Sequence, residues 1–238
     1  MKSDRFSFKQ FTVNQNRCAM KVGTDGVLLG AWSSLDNNPT LILDIGAGTG
    51  LIALMLAQRS AAEVVDAIEI DENAYEQCVD NFEASPWSDR LFCYHAGLDE
   101  FVDEIEECYD LIVSNPPFYP ENVSSGNLAR DVARQSQSLP FDQLLDAVSK
   151  LLSENGVFAT IIPFKEEADF LGLALSVNLF PKRITRVRGT PTSKIKRSLL
   201  ELCRLETETR FDELTLEIER HKYTPEYIAL TREFYLKL

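Results

Sequence analysis

The 238-residue sequence is poor in metal ligands, with two histidines, His95 and His221. Its five cysteines, Cys18, Cys78, Cys93, Cys108 and Cys203, include no C-x-x-C pair. A zinc site is therefore not expected, and reduced thiols in a cytoplasm fit better than a disulfide framework. No apolar run approaches the ~20 residues of a membrane span. Met1 to Gln10 also lacks the charged-then-apolar layout of a signal peptide. No internal repeat or low-complexity tract is present. What the chain does have is an ordinary globular composition, 45% hydrophobic and 26% charged.

Positive charge is scarce overall, giving a formal net charge of −13, but it is unevenly placed. Residues 182–204 hold eight Lys or Arg against one acid, Glu201, and residues 1–21 hold five against Asp4. An acidic body with local basic segments is the pattern of a confined anion-binding face, although solvated basic segments would look the same.

Between Thr40 and Pro163, short apolar runs alternate with longer amphipathic ones. Strands are expected at Leu41–Leu43, Val64–Ile70, Leu91–Tyr94, Tyr109–Val113 and Val157–Ile162. Helices are expected at Leu51–Arg59, Glu72–Ala84 and Phe141–Leu152. This alternation implies a mostly parallel sheet with helices on both faces. Beyond it lie a helix (Glu166–Val177) and two runs, Ile184–Arg188 and Ser198–Leu205, that should pair as an antiparallel hairpin at the sheet edge. A last short strand is expected at Leu214–Ile218. Thr224-Pro225-Glu226 then opens a C-terminal helix with cap, first-turn proline and acid in order. Residues 1–39 read as an N-terminal extension and 40–238 as one domain.

The stretch "LILDIGAGTGLIAL" ends a buried strand in Asp44 and places Gly46, Gly48 and Gly50 before a helix. Glycines permit positive φ and close approach of a ligand to backbone N–H groups. A dinucleotide fingerprint would need glycine at position 51, which is Leu51. The pattern is D-x-G-x-G-x-G, and a carboxylate in the turn suits a cationic, amino-acid-like cofactor better than a pyrophosphate. It resembles motif I of the class I S-adenosylmethionine-dependent methyltransferases. That resemblance implies a Rossmann-like, seven-stranded sheet with an antiparallel edge hairpin, and S-adenosylmethionine held by Asp44, Gly46, Gly48 and Gly50. Glu69, ending the next strand about twenty residues on, would accept the ribose hydroxyls. The acid usual beside the adenine is replaced by Gly97 and Leu98, so Leu98 and backbone would serve there.

"SNPPF" at the end of the fourth strand matches motif IV, [D/N/S]-P-P-[Y/F/W], of amino-group methyltransferases. An exocyclic amine is a weak nucleophile because its lone pair is delocalised into the ring. The Asn115 side chain and the Pro116 carbonyl offer two acceptors for its N–H groups, and Pro116 and Pro117 stiffen the turn. Phe118 can stack on an extruded base, with Tyr119 beside it. No metal is called for.

"FTVNQNRCAMKVGTDGVLLGAW" (residues 11–32), the glycine loop, N-P-P-F-Y and the C-terminal "YTPEYIALTREFYLKL" together resemble the bacterial tRNA1(Val) (adenine(37)-N6)-methyltransferase family over essentially the whole chain. The resemblance implies transfer of a methyl group to the N6 amine of an adenine in tRNA. It implies a role for residues 1–39 on the active-site side, where Lys21 would meet the cofactor carboxylate and Thr24 or Asp25 its amino group. Lys194, Lys196 and Arg197 in "RGTPTSKIKRS" suit tRNA phosphates. Arg130 and Arg134, within the long loop 120–138, are further candidates for RNA contact. A monomer is expected. The rivals are a glutamine N5 methyltransferase acting on a release factor and an rRNA guanine-N2 methyltransferase. The first usually carries a large helical N-terminal domain and the second a duplicated one, and thirty-nine leading residues supply neither.

Overall fold

The structure, a computed structural model, describes residues 4–117 and 139–237. Phe118, Tyr119, Arg130, Arg134 and the loop 120–138 lie outside the described residues.

In chain order the elements begin with a short antiparallel pair, β1 (Arg5–Ser7) and β2 (Thr12–Asn14), then α1 (Thr24–Trp32). Next come β3 (Leu41–Ile45), α2 (Leu51–Arg59), β4 (Val64–Glu69), α3 (Glu72–Glu83) and β5 (Leu91–His95). They are followed by α4 (Leu98–Glu104), β6 (Tyr109–Ser114), α5 (Phe141–Leu151) and β7 (Leu152–Pro163). The last part holds α6 (Glu167–Ser176), β8 (Phe180–Arg188), β9 (Ile195–Cys203) and β10 (Arg210–Thr215). A small hairpin, β11 (Glu217–Glu219) and β12 (Lys222–Tyr223), leads to α7 (Pro225–Thr231).

The central sheet runs β5-β4-β3-β6-β7-β9-β8-β10. Every pairing in it is parallel except those of β9 with β7 and β8. Two features differ from the sequence reading. Among the described residues the sheet has eight strands instead of seven, and the β8–β9 hairpin is not at the edge. β10 pairs parallel to β8, Arg210 opposite Arg183 through Thr215 opposite Arg188, and forms the edge itself. The apolar signal of the "RFDELTLEIE" stretch carries on past Thr215 into β11, which blurred one edge strand and one hairpin strand into a single short run.

Alternate residues of the inner strands feed two cores, as a period of two requires. Ile42, Leu111 and Val113 face the layer holding α1, α2, α3 and α7. Leu43 and Ile112 face the layer holding α4, α5 and α6. α3 is capped by Asp71, which accepts from the Ala74 N–H at 2.9 Å. α7 is capped by Thr224, accepting from the Tyr227 N–H at 3.2 Å, with Pro225 in its first turn as the sequence indicated.

From β3 the chain moves one way along the sheet to β4 and β5, then returns to β6 on the other side of β3. The crevice at the carboxyl ends of β3 and β6 is thus a topological switch point, where open α/β sheets bind ligands.

Candidate active site

The glycine loop leaves β3 at this switch point. Gly46, Gly48 and Gly50 adopt φ of 73°, 56° and 76°, so side chains there would be strained. The Gly46 and Ala47 N–H groups both donate to the Ile68 carbonyl at 3.0 Å, fixing the loop against β4. A Cβ at Gly46 or Gly48 would meet nothing within 4 Å, so these two keep a concave backbone surface open. Gly50 differs, because a Cβ there would lie 2.5 Å from Phe82 Cε1 and 2.8 Å from Cys78 Sγ.

Glu69 ends β4 and binds this loop. Its Oε2 accepts from the Gly48 N–H at 2.8 Å and its Oε1 from the Asp71 N–H at 2.9 Å. Each carboxylate oxygen has a second lone pair, so acceptor capacity for ribose hydroxyls remains. The register carries His95 of β5 opposite Glu69, followed by Gly97 and Leu98, the first residue of α4. Ile70, after Glu69, is 59% exposed and its Cδ1 lies 3.9 Å from where a Gly97 Cβ would sit. Ile70 with Leu98 gives an apolar pair suited to the faces of a purine. The sequence places Ile70 at the end of an expected strand, Val64–Ile70, and gives no sign of its exposure.

Asp44 is fully buried in β3. Oδ2 accepts from the Ala53 N–H at 3.1 Å, while Oδ1 has no partner among the described residues. Burial pushes its pKa up to about 7, the Ala53 hydrogen bond opposes this, and nearby Glu69 adds to it. An unsatisfied carboxylate oxygen beside an open glycine cradle is what the cationic methionine end of S-adenosylmethionine requires, so the residues present fit that cofactor. A folded-state pKa above the unfolded value means that Asp44 opposes folding increasingly as pH rises from about 4 to about 7. Asp44→Asn is therefore expected to raise the Tm of the cofactor-free protein by several degrees at pH 8 and not at pH 4. The same variant should weaken S-adenosylmethionine binding, and wild-type affinity should climb as pH passes through about 7. Thermal melts with and without cofactor across this range check both signs.

Motif IV follows β6. Ser114 lies opposite Ile45 in the parallel pair and donates from Oγ to the Ile45 carbonyl at 2.9 Å. Asn115 is therefore carried at the same sheet edge as Gly46, one strand across. It is half-buried, Pro116 is buried and Pro117 is half-buried. The geometry brings Asp44, the three glycines, Glu69, Leu98 and Asn115 to the carboxyl ends of neighbouring strands.

The N-terminal segment is fastened beside this loop by α3. Asn81 donates from Nδ2 to the carbonyls of Thr49 and Asn14, each at 2.9 Å, and its Oδ1 accepts from the Asn14 N–H at 2.9 Å. Gln77 Oε1 accepts from the Arg17 N–H at 3.3 Å. These two buried amides looked like ordinary helix surface in sequence; their i, i+4 spacing in line with Cys78 and Phe82 was the available signal. Cys18 is buried near Glu69 and Asp71, and burial first and those carboxylates second push its pKa up to about 11. Lys21 pairs with Asp4 at 3.0 Å, and Asp25 pairs with Arg197 at 2.8 Å. Neither cofactor contact expected of Lys21 and Asp25 is left to a side chain without a partner. Thr24 opens α1, whose N-cap, Gly23, offers no side-chain cap.

The basic 182–204 segment is mostly engaged within the protein. Arg183 forms a two-armed pair with buried Glu201 at 2.8 and 3.0 Å, and its guanidinium stacks 3.8 Å above Trp32. Arg186 pairs with Glu167 at 2.6 Å, Arg188 with Glu213, and Arg197 with Asp25. Arg204 donates to the carbonyl of Leu152 at 2.9 Å. Lys182, Lys194 and Lys196 are exposed and form no ion pair among the described residues. Glu167, Glu213 and Asp25, all outside the segment, thus pair three of its eight basic residues, and Glu201 within it pairs a fourth, which a count of charges along the chain could not reveal. Among the described residues no cluster of His, Cys, Asp or Glu could hold a metal, and no helix is long and apolar enough to cross a membrane.

This sheet order, with its acid-led glycine loop and its proline-stiffened turn at the switch point, puts the chain among the class I S-adenosylmethionine-dependent methyltransferases. Residues 26–140 match the family model of the Methyltransferase small domain. The tRNA1(Val) (adenine(37)-N6)-methyltransferase of Flavobacterium johnsoniae is 64% identical over 98% of this chain and all of its own length. That of Bacteroides fragilis is 44% identical over 98% of both chains. The chain belongs to the tRNA1(Val) (adenine(37)-N6)-methyltransferase family. Its fold resembles the crystal structure of a predicted O-methyltransferase from Agrobacterium tumefaciens, with a TM-score of 0.68 at 20% identity, covering 88% of this chain and 96% of that one.

Proposed function

We infer that this chain transfers the methyl group of S-adenosylmethionine to the N6 amine of an adenine in tRNA, adenine 37 of tRNA1(Val). The observation that carries this is full-length identity to relatives of that name, up to 64% among those described, joined to an N-P-P turn beside the glycine loop. When bound, S-adenosylmethionine supplies an electrophilic methyl on a sulfonium.

The chain's own residues supply position and fixed dipoles. Asp44, with its unpartnered oxygen, and the cradle at Gly46, Gly48 and Gly50 hold the cofactor's methionine end. Glu69 accepts from the ribose, and Leu98 with Ile70 flanks the adenine. Lys21 and Thr24 border the carboxyl end. Asn115 Oδ1 and the Pro116 carbonyl accept the two N–H groups of the target amine. This turns its lone pair toward the methyl, with Pro117 stiffening the turn and Phe118 stacking on the base. Residues 1–39 act as an extension on the active-site side of the 40–238 domain. A tRNA substrate supports a cytoplasmic location.

Lys194 and Lys196, with Arg197 behind them, contact tRNA phosphates, joined by Arg130 and Arg134. Changing Lys194 and Lys196 together to alanine should weaken tRNA binding and flatten the slope of log affinity against log salt by about two. A salt titration of both proteins checks this, and an unchanged slope would remove the pair from the RNA site. The function itself is tested by labelled methyl transfer from S-adenosylmethionine into unmodified total tRNA, followed by digestion to nucleosides. N6-methyladenosine confined to a valine tRNA is the expected product. Label in protein or rRNA with silent tRNA would overturn the reading.

A further inference from the structure

A cavity of about 560 Å³ borders the cofactor crevice at Thr24, within the range of about 300–1,000 Å³ that small-ligand sites occupy. None of its walls comes from Asp44, the glycine loop, Glu69 or Asn115. Aromatic rings dominate it: Tyr223 and Tyr227 have centroids 5.0 Å apart, and Tyr235 lies 6.2 Å from Phe6. Lys237, the turn Gly189-Thr190 and the segment Val22-Gly23-Thr24 before α1 add further walls, and Glu217 adds one carboxylate.

The walls are braced before any ligand arrives. The Glu217 N–H donates to the Gly189 carbonyl at 2.8 Å, and the Thr224 N–H donates to the Leu216 carbonyl at 3.0 Å. The Thr190 N–H donates to Ser193 Oγ at 2.9 Å. Tyr227 and Tyr235 meet through their hydroxyls at 3.5 Å.

Its position matters as much as its lining. Gly189 follows β8 and Leu216 follows β10, at the carboxyl ends of strands parallel to β6, so the cavity opens at the same sheet edge as Asn115. β8 is three strand steps from β6, through β7 and β9. At about 4.8 Å per step that is roughly 14 Å, within reach of a short stretch of single strand. Aromatic faces beside a lysine are what an unstacked nucleotide needs, with the base on the rings and the phosphate on the cation.

We propose that this cavity receives a nucleotide of the RNA substrate next to the methylated adenine, gripping the strand on one side while the target base enters the N-P-P turn. This rests on the tRNA reading above and adds a second subsite to it. Glu217 is placed to accept from a base amine.

The test compares Tyr223→Ala, Tyr223→Phe and Lys237→Ala with wild type. It measures tRNA affinity, S-adenosylmethionine affinity, and KM and kcat for methyl transfer. Tyr223→Ala should weaken tRNA binding about tenfold, the loss appearing in KM, with cofactor affinity unchanged. Tyr223→Phe keeps the ring and should stay near wild type. Lys237→Ala, on an exposed side chain, should reduce the salt slope of tRNA binding by about one. The proposal is overturned if folded Tyr223→Ala binds tRNA within twofold of wild type, or if Lys237→Ala leaves affinity and slope unchanged. Wild type assayed in parallel separates the two readings. No transfer to tRNA overturns the function and the subsite with it, whereas full transfer with unaffected variants overturns the subsite alone.

Discussion

Asn115→Ala should lower kcat by about 100- to 1,000-fold, the usual loss when one preorganised hydrogen-bonding group is taken from a reacting centre. S-adenosylmethionine affinity should stay within about threefold. The asymmetry follows from where the residue stands. Ser114 ties the end of β6 to Ile45, so the turn stays in place when the Asn115 side chain is removed. The Asn115 amide has no hydrogen-bond partner among the described residues, so its loss strands no buried group of the protein. Asn115→Asp keeps an acceptor at the same reach and should retain a measurable share of turnover. Single-turnover transfer with tRNA in excess, set beside cofactor binding by calorimetry, distinguishes the outcomes. Equal collapse of binding and turnover in Asn115→Ala would show that the side chain serves the cofactor and not the target amine.

Gly50→Ala should cost about 2–4 kcal/mol of folding stability, combining left-handed backbone strain with overpacking. Its φ is 76°, and the added methyl would press on the Phe82 ring at 2.5 Å and on Cys78 Sγ at 2.8 Å. Gly48→Ala is the informative partner. Its φ is also positive, at 56°, but a Cβ there meets nothing within 4 Å. Its stability loss should be limited to about 1–2 kcal/mol of backbone strain. The larger effect should fall on cofactor affinity, because the methyl projects into the open cradle. Urea unfolding of both variants, followed by cofactor titration of those that fold, tests whether one glycine is kept for packing and the other for the ligand. Similar stability losses in both would contradict that division.

The elements around β3 to β6 could be read from the chain because each obeys a local rule. Unbroken apolar runs mark strands buried on both faces, and an Asp or Thr marks a helix start. Two prolines mark a strand end. Motif I, Glu69 and motif IV were legible for the same reason, being consecutive residues at strand ends. The missed features depend on partners far apart in sequence. Arg197 and Asp25 are separated by 172 positions, and Arg183 and Glu201 meet only once β8 and β9 pair. Counting charge along residues 182–204 therefore overstated the positive surface available to RNA. Ile70 escaped notice because an apolar residue at a strand end reads as core, although its exposure is what suits it to a ligand. The eighth strand was merged with its successor because Arg210, Asp212, Glu213 and Thr215 leave it only Phe211 and Leu214 as apolar positions.

The joining of the two ends of the chain bears on the order in which the molecule can assemble. Lys9 N–H donates to the Phe234 carbonyl at 2.8 Å, Phe8 bridges to Tyr235, and the rings of Phe6 and Phe8 pack on Tyr235. Contacts of that sequence separation carry the largest loop-closure entropy in the protein. During synthesis the aromatic residues 6–11 leave the ribosome long before residues 225–235 exist to cover them. Asn14 can meet Asn81 as soon as α3 has formed, but the cluster of rings must wait for the last turn of chain. The clasp of residues 6–11 on residues 225–235 therefore cannot close before both segments have been made. The tyrosine cavity takes walls from both, whereas the glycine loop, Glu69 and Asn115 are all made earlier.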